Sequence, residues 1–209
     1  MGGKGGSDMA LARETTPERF SWHEYKDWPE DERWQIINGH AYCMAAAPNI
    51  KHQMVTGNLY ATIREKLGGK PCTTFIAPTD VVFDDYNIVQ PDVLVVCNTS
   101  KITDANIQGA PDLVIEVISP SNSFMDKKQK LELYERFAVP EYLLVDPVGD
   151  LVERFRLVDG RYGRSEIFAW HEELALISLP GLVINLWEVF ERNLAELNVV
   201  REGPKGYRV

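Results

Sequence analysis

Two carboxylates sit where a chain normally keeps charge out. Asp92 follows Pro91 and opens the run Val93-Leu94-Val95-Val96, and Glu116 lies inside Leu113-Val114-Ile115-Glu116-Val117-Ile118. Runs apolar on both faces are strands buried in the middle of a sheet. A carboxylate there loses its water, a loss of several kcal/mol unless a partner, a proton or a metal compensates. Two such acids in neighbouring strands predict a metal site.

The elements that must position them follow from strand alternation. Asp112, Val114, Glu116 and Ile118 point to one side, and Leu113, Ile115 and Val117 to the other. Glu116 therefore lies late on its strand, where an α/β sheet opens into its site. Pro91 has no N–H for the ladder, which places Asp92 at a strand beginning. An antiparallel pairing then brings the start of one strand to the end of the other. Asp112 is four residues from Glu116, about 13 Å along a strand, too far to share a metal, and is read as structural. Asp80, in Pro78-Thr79-Asp80-Val81-Val82-Phe83, is a further candidate acid, with a strand-start aspartate as the plainer reading.

Elsewhere the chain alternates short strands with a few helices. Ser21-Trp22-His23-Glu24 has the spacing of a capping box and predicts a short helix reaching Trp28. Asn38-Gly39 between two strand-like runs predicts a β-hairpin, since both residues accept positive φ. Pro48-Asn49 precedes a helix to about Leu67, with Met54, Val55, Leu59, Ile63 and Leu67 forming an apolar face. Strands are expected at 72–77, 80–84, 92–97, 112–118 and 141–146, with a helix over 124–137, a hairpin turned by Asp159-Gly160, and a small helix over 186–191. Asp126, Lys130 and Tyr134 share one face of the 124–137 helix; by themselves they read as a surface pair at helical spacing. One α/β domain over 18–192 with a mixed sheet is the natural architecture. Residues 1–17 read as a flexible lead and 193–209 as a loose tail.

Composition narrows the classes. The 209 residues are 44% hydrophobic and 25% charged, ordinary for a globular protein, and carry a formal net charge of −9. That charge argues against broad, sequence-independent adhesion to nucleic acid. No apolar run reaches the roughly 18 residues needed to span a bilayer, so no membrane partner is expected. Cys43, Cys72 and Cys97 are odd in number and widely spaced, which argues against disulfides and zinc and fits a cytoplasmic protein. Phosphate-binding loops, dinucleotide fingerprints and nucleophile elbows are absent. The five tryptophans read as core and hairpin packing.

Four motifs occur together in one order: Pro91-Asp92, Glu116-Val117-Ile118-Ser119-Pro120-Ser121, the helical Asp126 and Lys130, and Pro140-Glu141-Tyr142-Leu143-Leu144-Val145-Asp146-Pro147. Over residues 18 to 192 this order resembles the Uma-type family of bacterial restriction-endonuclease-like proteins, within the PD-(D/E)XK nuclease superfamily. The resemblance implies a restriction endonuclease-like mixed β-sheet flanked by helices, with additional hairpins. It implies a divalent-metal-dependent endonuclease in which Asp92, Glu116 and the Val117 carbonyl hold Mg²⁺ or Mn²⁺. The cation would polarise a phosphodiester and lower the pKa of a water. Lys130 takes the place of the lysine that the superfamily usually carries two residues after the second acid, where this chain has Ile118. His52 matches a histidine that family members place early in their long helix, as a candidate phosphate contact or a donor behind the acids. The implied partner is nucleic acid, DNA above all, with a homodimer suited to cutting both strands. One departure is notable: where the family carries a glutamate in its first hairpin, this chain has Gln35, a neutral oxygen. That substitution, the net charge and the displaced lysine keep a second reading open, a catalytically silent module binding nucleic acid or a protein.

Overall fold

The computed structural model describes residues 19–29, 32–44, 49–118, 126–195 and 197. Strands β1 (Trp34–Ile37) and β2 (His40–Cys43) form the expected hairpin, with Asn38 at φ 55° and Gly39 at φ 82°. Asp159 and Gly160 turn a second hairpin in the same way, at φ 51° and 77°. The helix expected from Ser21 is shorter than predicted: α1 covers Trp22–Tyr25, and Glu24 closes the capping box onto Ser21. The rings of Phe20, Trp22, Tyr25, Trp28 and Trp34 pack on one another beside it, as packing residues should.

Helix α2 (Ile50–Lys66) starts where Asn49 caps the His52 N–H at 2.9 Å. Val55, Leu59, Ile63 and Leu67 are buried one turn apart, whereas Met54 lies on the exposed flank. Strands β3 (Thr73–Ile76), β4 (Val81–Asp84), β5 (Asn87–Val89), β6 (Val93–Val96), β7 (Ile107–Gln108) and β8 (Leu113–Val117) follow. A five-residue π turn, Asp126–Lys130, leads into α3 (Leu131–Arg136). Then come β9 (Glu141–Asp146), β10 (Leu151–Val158), β11 (Arg161–Tyr162), β12 (Glu166–Ala169), β13 (Glu173–Ala175), β14 (Val183–Asn185) and the short α4 (Leu186–Val189).

The strands build one five-stranded sheet, β2-β1-β5-β4-β7, and one seven-stranded sheet, β11-β10-β9-β8-β6-β3, with β12 also on β10. β13 and β14 pair separately. In the larger sheet β8 is central, antiparallel to β6 and parallel to β9. The π turn and α3 form the crossover that a parallel pair requires. Both faces of this sheet are covered. On one face Val93, Val95, Ile115 and Val117 pack against α2; on the other Leu94, Val114 and Leu144 pack with Leu133 and Tyr134 of α3. Burial on both sides is why these strands read as continuous apolar runs, each fully buried Val, Leu or Ile contributing roughly 1.5–3 kcal/mol.

One expectation is corrected by this arrangement. Cys72 and Cys97 form a disulfide. The antiparallel register of β3 on β6 sets Thr73 against Val96, and one step further brings the two cysteines together. Spacing alone did not reveal which strands would pair, and the cysteine count no longer argues for a reducing compartment. Cys43 is unpaired and exposed. Glu141, in the Pro-Glu-Tyr motif, is fully buried away from the two acids. Its Oε2 accepts the N–H groups of Ile177 and Ser178 and the Ser178 hydroxyl, so that motif ties β9 to the 177–178 turn. Among the described residues no helix is long and apolar enough to cross a membrane.

Candidate active site

The register of β6 on β8 pairs Val93 with Ile115, and one step on sets Asp92 directly against Glu116. Opposed residues of an antiparallel pair project to the same face, with Cβ atoms about 5 Å apart. The sequence pattern anticipated this meeting of strand start and strand end. Asp92 is held from two sides. Its Oδ2 accepts the Val117 N–H at 2.8 Å and lies 3.3 Å from His52 Nε2. Glu116, 2% exposed, accepts the Tyr134 hydroxyl at 2.6 Å on Oε1, and Lys130 Nζ lies 2.8 Å from the same oxygen.

The two helices reach the acid pair from opposite faces of the sheet. Lys130, at the junction of the π turn and α3, and Tyr134, one turn later, descend on Glu116. His52, in the first turn of α2, reaches around the strand ends to Asp92. Lys130 is 3% exposed, so the surface lysine expected of a helical pair is replaced by a buried ion pair. Lys128 is exposed. The Ser119-Pro120-Ser121 motif lies outside the described residues. Asp126 contributes its backbone to the π turn.

The electrostatics follow from this pairing. Burial alone pushes the His52 imidazole down. The hydrogen bond to Asp92 and the Asp92 charge outweigh it, with the Val117 backbone and Glu116 adding in the same direction, so the pKa of His52 is raised overall. The two carboxylates thus face His52 on one side and Lys130 on the other.

The remaining predicted residues have other partners or none at the acid pair. Asp112 is structural, its Oδ2 accepting the Cys97 N–H at 2.7 Å. Asp80 belongs to a separate network: its Oδ1 accepts from the Tyr25 hydroxyl at 3.1 Å and from Gln90 Nε2 at 2.9 Å. Gln90 is oriented in turn by Arg33, whose Nε and Nη2 both donate to its Oε1. Burial and the Asp80 charge push the Tyr25 phenol well above its usual range, keeping it a donor. Gln35 is 8% exposed and its Oε1 has no hydrogen-bond partner among the described residues. It shares a strand face with Ile37, which packs in the cluster containing Tyr134. Tyr134 itself was visible in the sequence only as a face-sharing neighbour of Lys130; the Arg33–Gln90–Asp80–Tyr25 network left no signal there.

The donors fit a hard divalent cation in kind: two opposed carboxylates and the Val117 carbonyl beside them. Among the described residues no three His, Cys, Asp or Glu side chains converge on one point. A cation here would fill its other positions with water or substrate oxygens, as Mg²⁺ commonly does.

Residues 22–187, most of the chain and the whole of the site, match the family Uma2, described as "Putative restriction endonuclease". The chain belongs to this family. Two uncharacterised Synechocystis proteins are similar to it. Protein sll1609 is 30% identical over 62% of this chain and 75% of its own length, and slr1290 is 29% identical over 61% and 68%. A crystal structure from Anabaena variabilis, of a "putative nuclease belonging to DUF820", superposes with a TM-score of 0.69 at 19% identity, covering 82% of this chain and 98% of that one. The fold is restriction endonuclease-like, a mixed α/β architecture with added hairpins, as membership of the Uma2 family implied.

Proposed function

We propose that this Uma2 protein is a divalent-metal-dependent nuclease that hydrolyses phosphodiester bonds at Asp92 and Glu116. The observation that carries the reading is the register-paired acid couple with Lys130 buried against it. Asp92, Glu116 and the Val117 carbonyl would hold Mg²⁺ or Mn²⁺. When bound, the cation polarises the phosphoryl group and lowers the pKa of a water.

The chain's own residues do the rest. Lys130, buried against Glu116, would set an ammonium beside the phosphate, where negative charge grows in the transition state. Tyr134 holds the Glu116 carboxylate in place, and His52 and the Val117 N–H do the same for Asp92, so both acids are oriented before substrate arrives. The substrate class, nucleic acid, follows from the family.

Incubating the protein with plasmid DNA, single-stranded DNA and RNA, with Mn²⁺ or Mg²⁺ against chelator, tests the reading. Cleavage that requires the metal and disappears in both Asp92→Asn and Lys130→Met supports it. Cleavage that survives either variant contradicts it. The silent-module alternative draws on Gln35, which offers a neutral oxygen where an acid would bind a cation more strongly. Nucleic-acid binding with no metal uptake selects it.

A further inference from the structure

A cavity of about 310 Å³ is lined by residues that the proposed hydrolysis does not use, from Phe75 and Pro78 to Gln90 and Ile107. Gln90 forms part of its wall and is two residues from Asp92, at most about 7 Å of chain. Phe75, also in the lining, belongs to the cluster on the same sheet face as Asp92 and Glu116. Pro78, Thr103, Asp104 and Ala105 form an exposed rim, and Gln90 and Asn106, each 8% exposed, form the floor.

The polar groups of this cavity are fixed in direction. Asp80 Oδ1 is committed to Tyr25 and Gln90, which leaves Oδ2 as an acceptor. Asn106 Oδ1 accepts from the Thr103 hydroxyl at 3.1 Å and from Gln108 Nε2 at 2.6 Å. These bonds orient the amide so that its Nδ2 is a donor with no hydrogen-bond partner among the described residues, in a side chain that is otherwise buried. Asp104 adds a carboxylate at the rim.

This chemistry selects a class of ligand. Two carboxylates repel a phosphate. An amide N–H₂ on the floor disfavours a bare cation. A nucleobase meets all the requirements, with a flat apolar body for Phe75, Ile107 and Pro78 and a polar edge for the acceptors and the single donor. We infer that this cavity receives an unpaired base bearing an exocyclic amino group, from the nucleotide adjoining the phosphate held at Asp92 and Glu116. The inference rests on the nuclease reading and names its recognition element. Cytosine offers an amino group to the carboxylates, and uracil presents a carbonyl in its place. Discrimination of this kind is worth roughly tenfold or more in affinity.

The test compares single-stranded hexadeoxycytidylate with hexadeoxyuridylate by fluorescence anisotropy, using the full chain in chelator at mildly alkaline pH and low salt. The expected result is tighter binding of the cytosine strand by about tenfold, with the preference lost in Asp80→Asn and reduced in Asp104→Asn. Asp104 is on the exposed rim, so its substitution leaves the fold in place even if loss of the Asp80 hydrogen bonds does not. Equal affinity for the two strands, or a preference that survives both variants, overturns the base site and leaves the nuclease reading standing. No binding of either strand overturns the base site alone, because the chelator removes the metal on which hydrolysis depends, and cleavage with Mn²⁺ tests the nuclease reading separately. Mn²⁺ uptake that depends on Asp104 assigns the cavity to a cation and overturns the base site alone.

Discussion

Lys130 Nζ lies 2.8 Å from Glu116 Oε1, with both side chains under 5% exposed. A buried pair of this kind is strongly destabilising to break from one side, because the survivor keeps its charge without water. Lys130→Met is expected to lower stability by about 3–5 kcal/mol in urea unfolding of the metal-free protein. The double variant Lys130→Met/Glu116→Gln is expected to recover most of that loss while remaining inactive. Equal losses in the single and double variants would place the pair outside the energetics of the core.

His52 and Asp92 are coupled through their 3.3 Å contact, which raises the imidazole pKa above its ordinary value despite burial. In the metal-free protein an NMR titration of His52 should report that raised pKa, and Asp92→Asn should bring it down. The sign for stability follows. A group whose folded pKa is raised contributes in full below its unfolded value, and the contribution is lost as pH rises through the folded pKa. An imidazole whose titration ignores Asp92→Asn contradicts the coupling.

Gln35 places in a buried position an oxygen with no hydrogen-bond partner among the described residues. Gln35→Glu should destabilise the metal-free protein, because a carboxylate there is desolvated, and Mn²⁺ should restore the stability. Thermal melts with and without Mn²⁺ read both effects. A larger Mn²⁺-dependent rise in Tm than in the parent is the expected outcome, and an identical rise in both proteins removes Gln35 from the metal's surroundings.

The Cys72–Cys97 disulfide closes a loop with a sequence separation of 25. Cys72→Ala/Cys97→Ala should lower stability by about 2–4 kcal/mol, measured by urea unfolding against the oxidised parent. The acids sit at the opposite end of the β3–β6 ladder, so Mn²⁺ binding should be unchanged.

Much of the centre was legible because its signals are local. Pro91 fixed Asp92 at a strand start, and strand alternation fixed the side Glu116 takes. Asn38-Gly39 marked its hairpin through the φ that both residues accept. What was hidden depends on which distant segments meet. Cys72 and Cys97 became partners only through the β3–β6 register. Lys130 looked like a surface lysine because helical spacing does not say which face a short crossover buries. Strands β5 and β7 are too short for a periodic pattern, and the network from Arg33 through Gln90 to Asp80 and Tyr25 joins residues up to 65 positions apart.

The central claim is a divalent cation held by Asp92 and Glu116, and calorimetric titration of Mn²⁺ into the chelator-stripped protein and into Glu116→Ala tests it most directly. The account predicts specific binding by the parent that disappears in the variant. A parent that takes up no Mn²⁺, or a variant that binds as well as the parent, would contradict it.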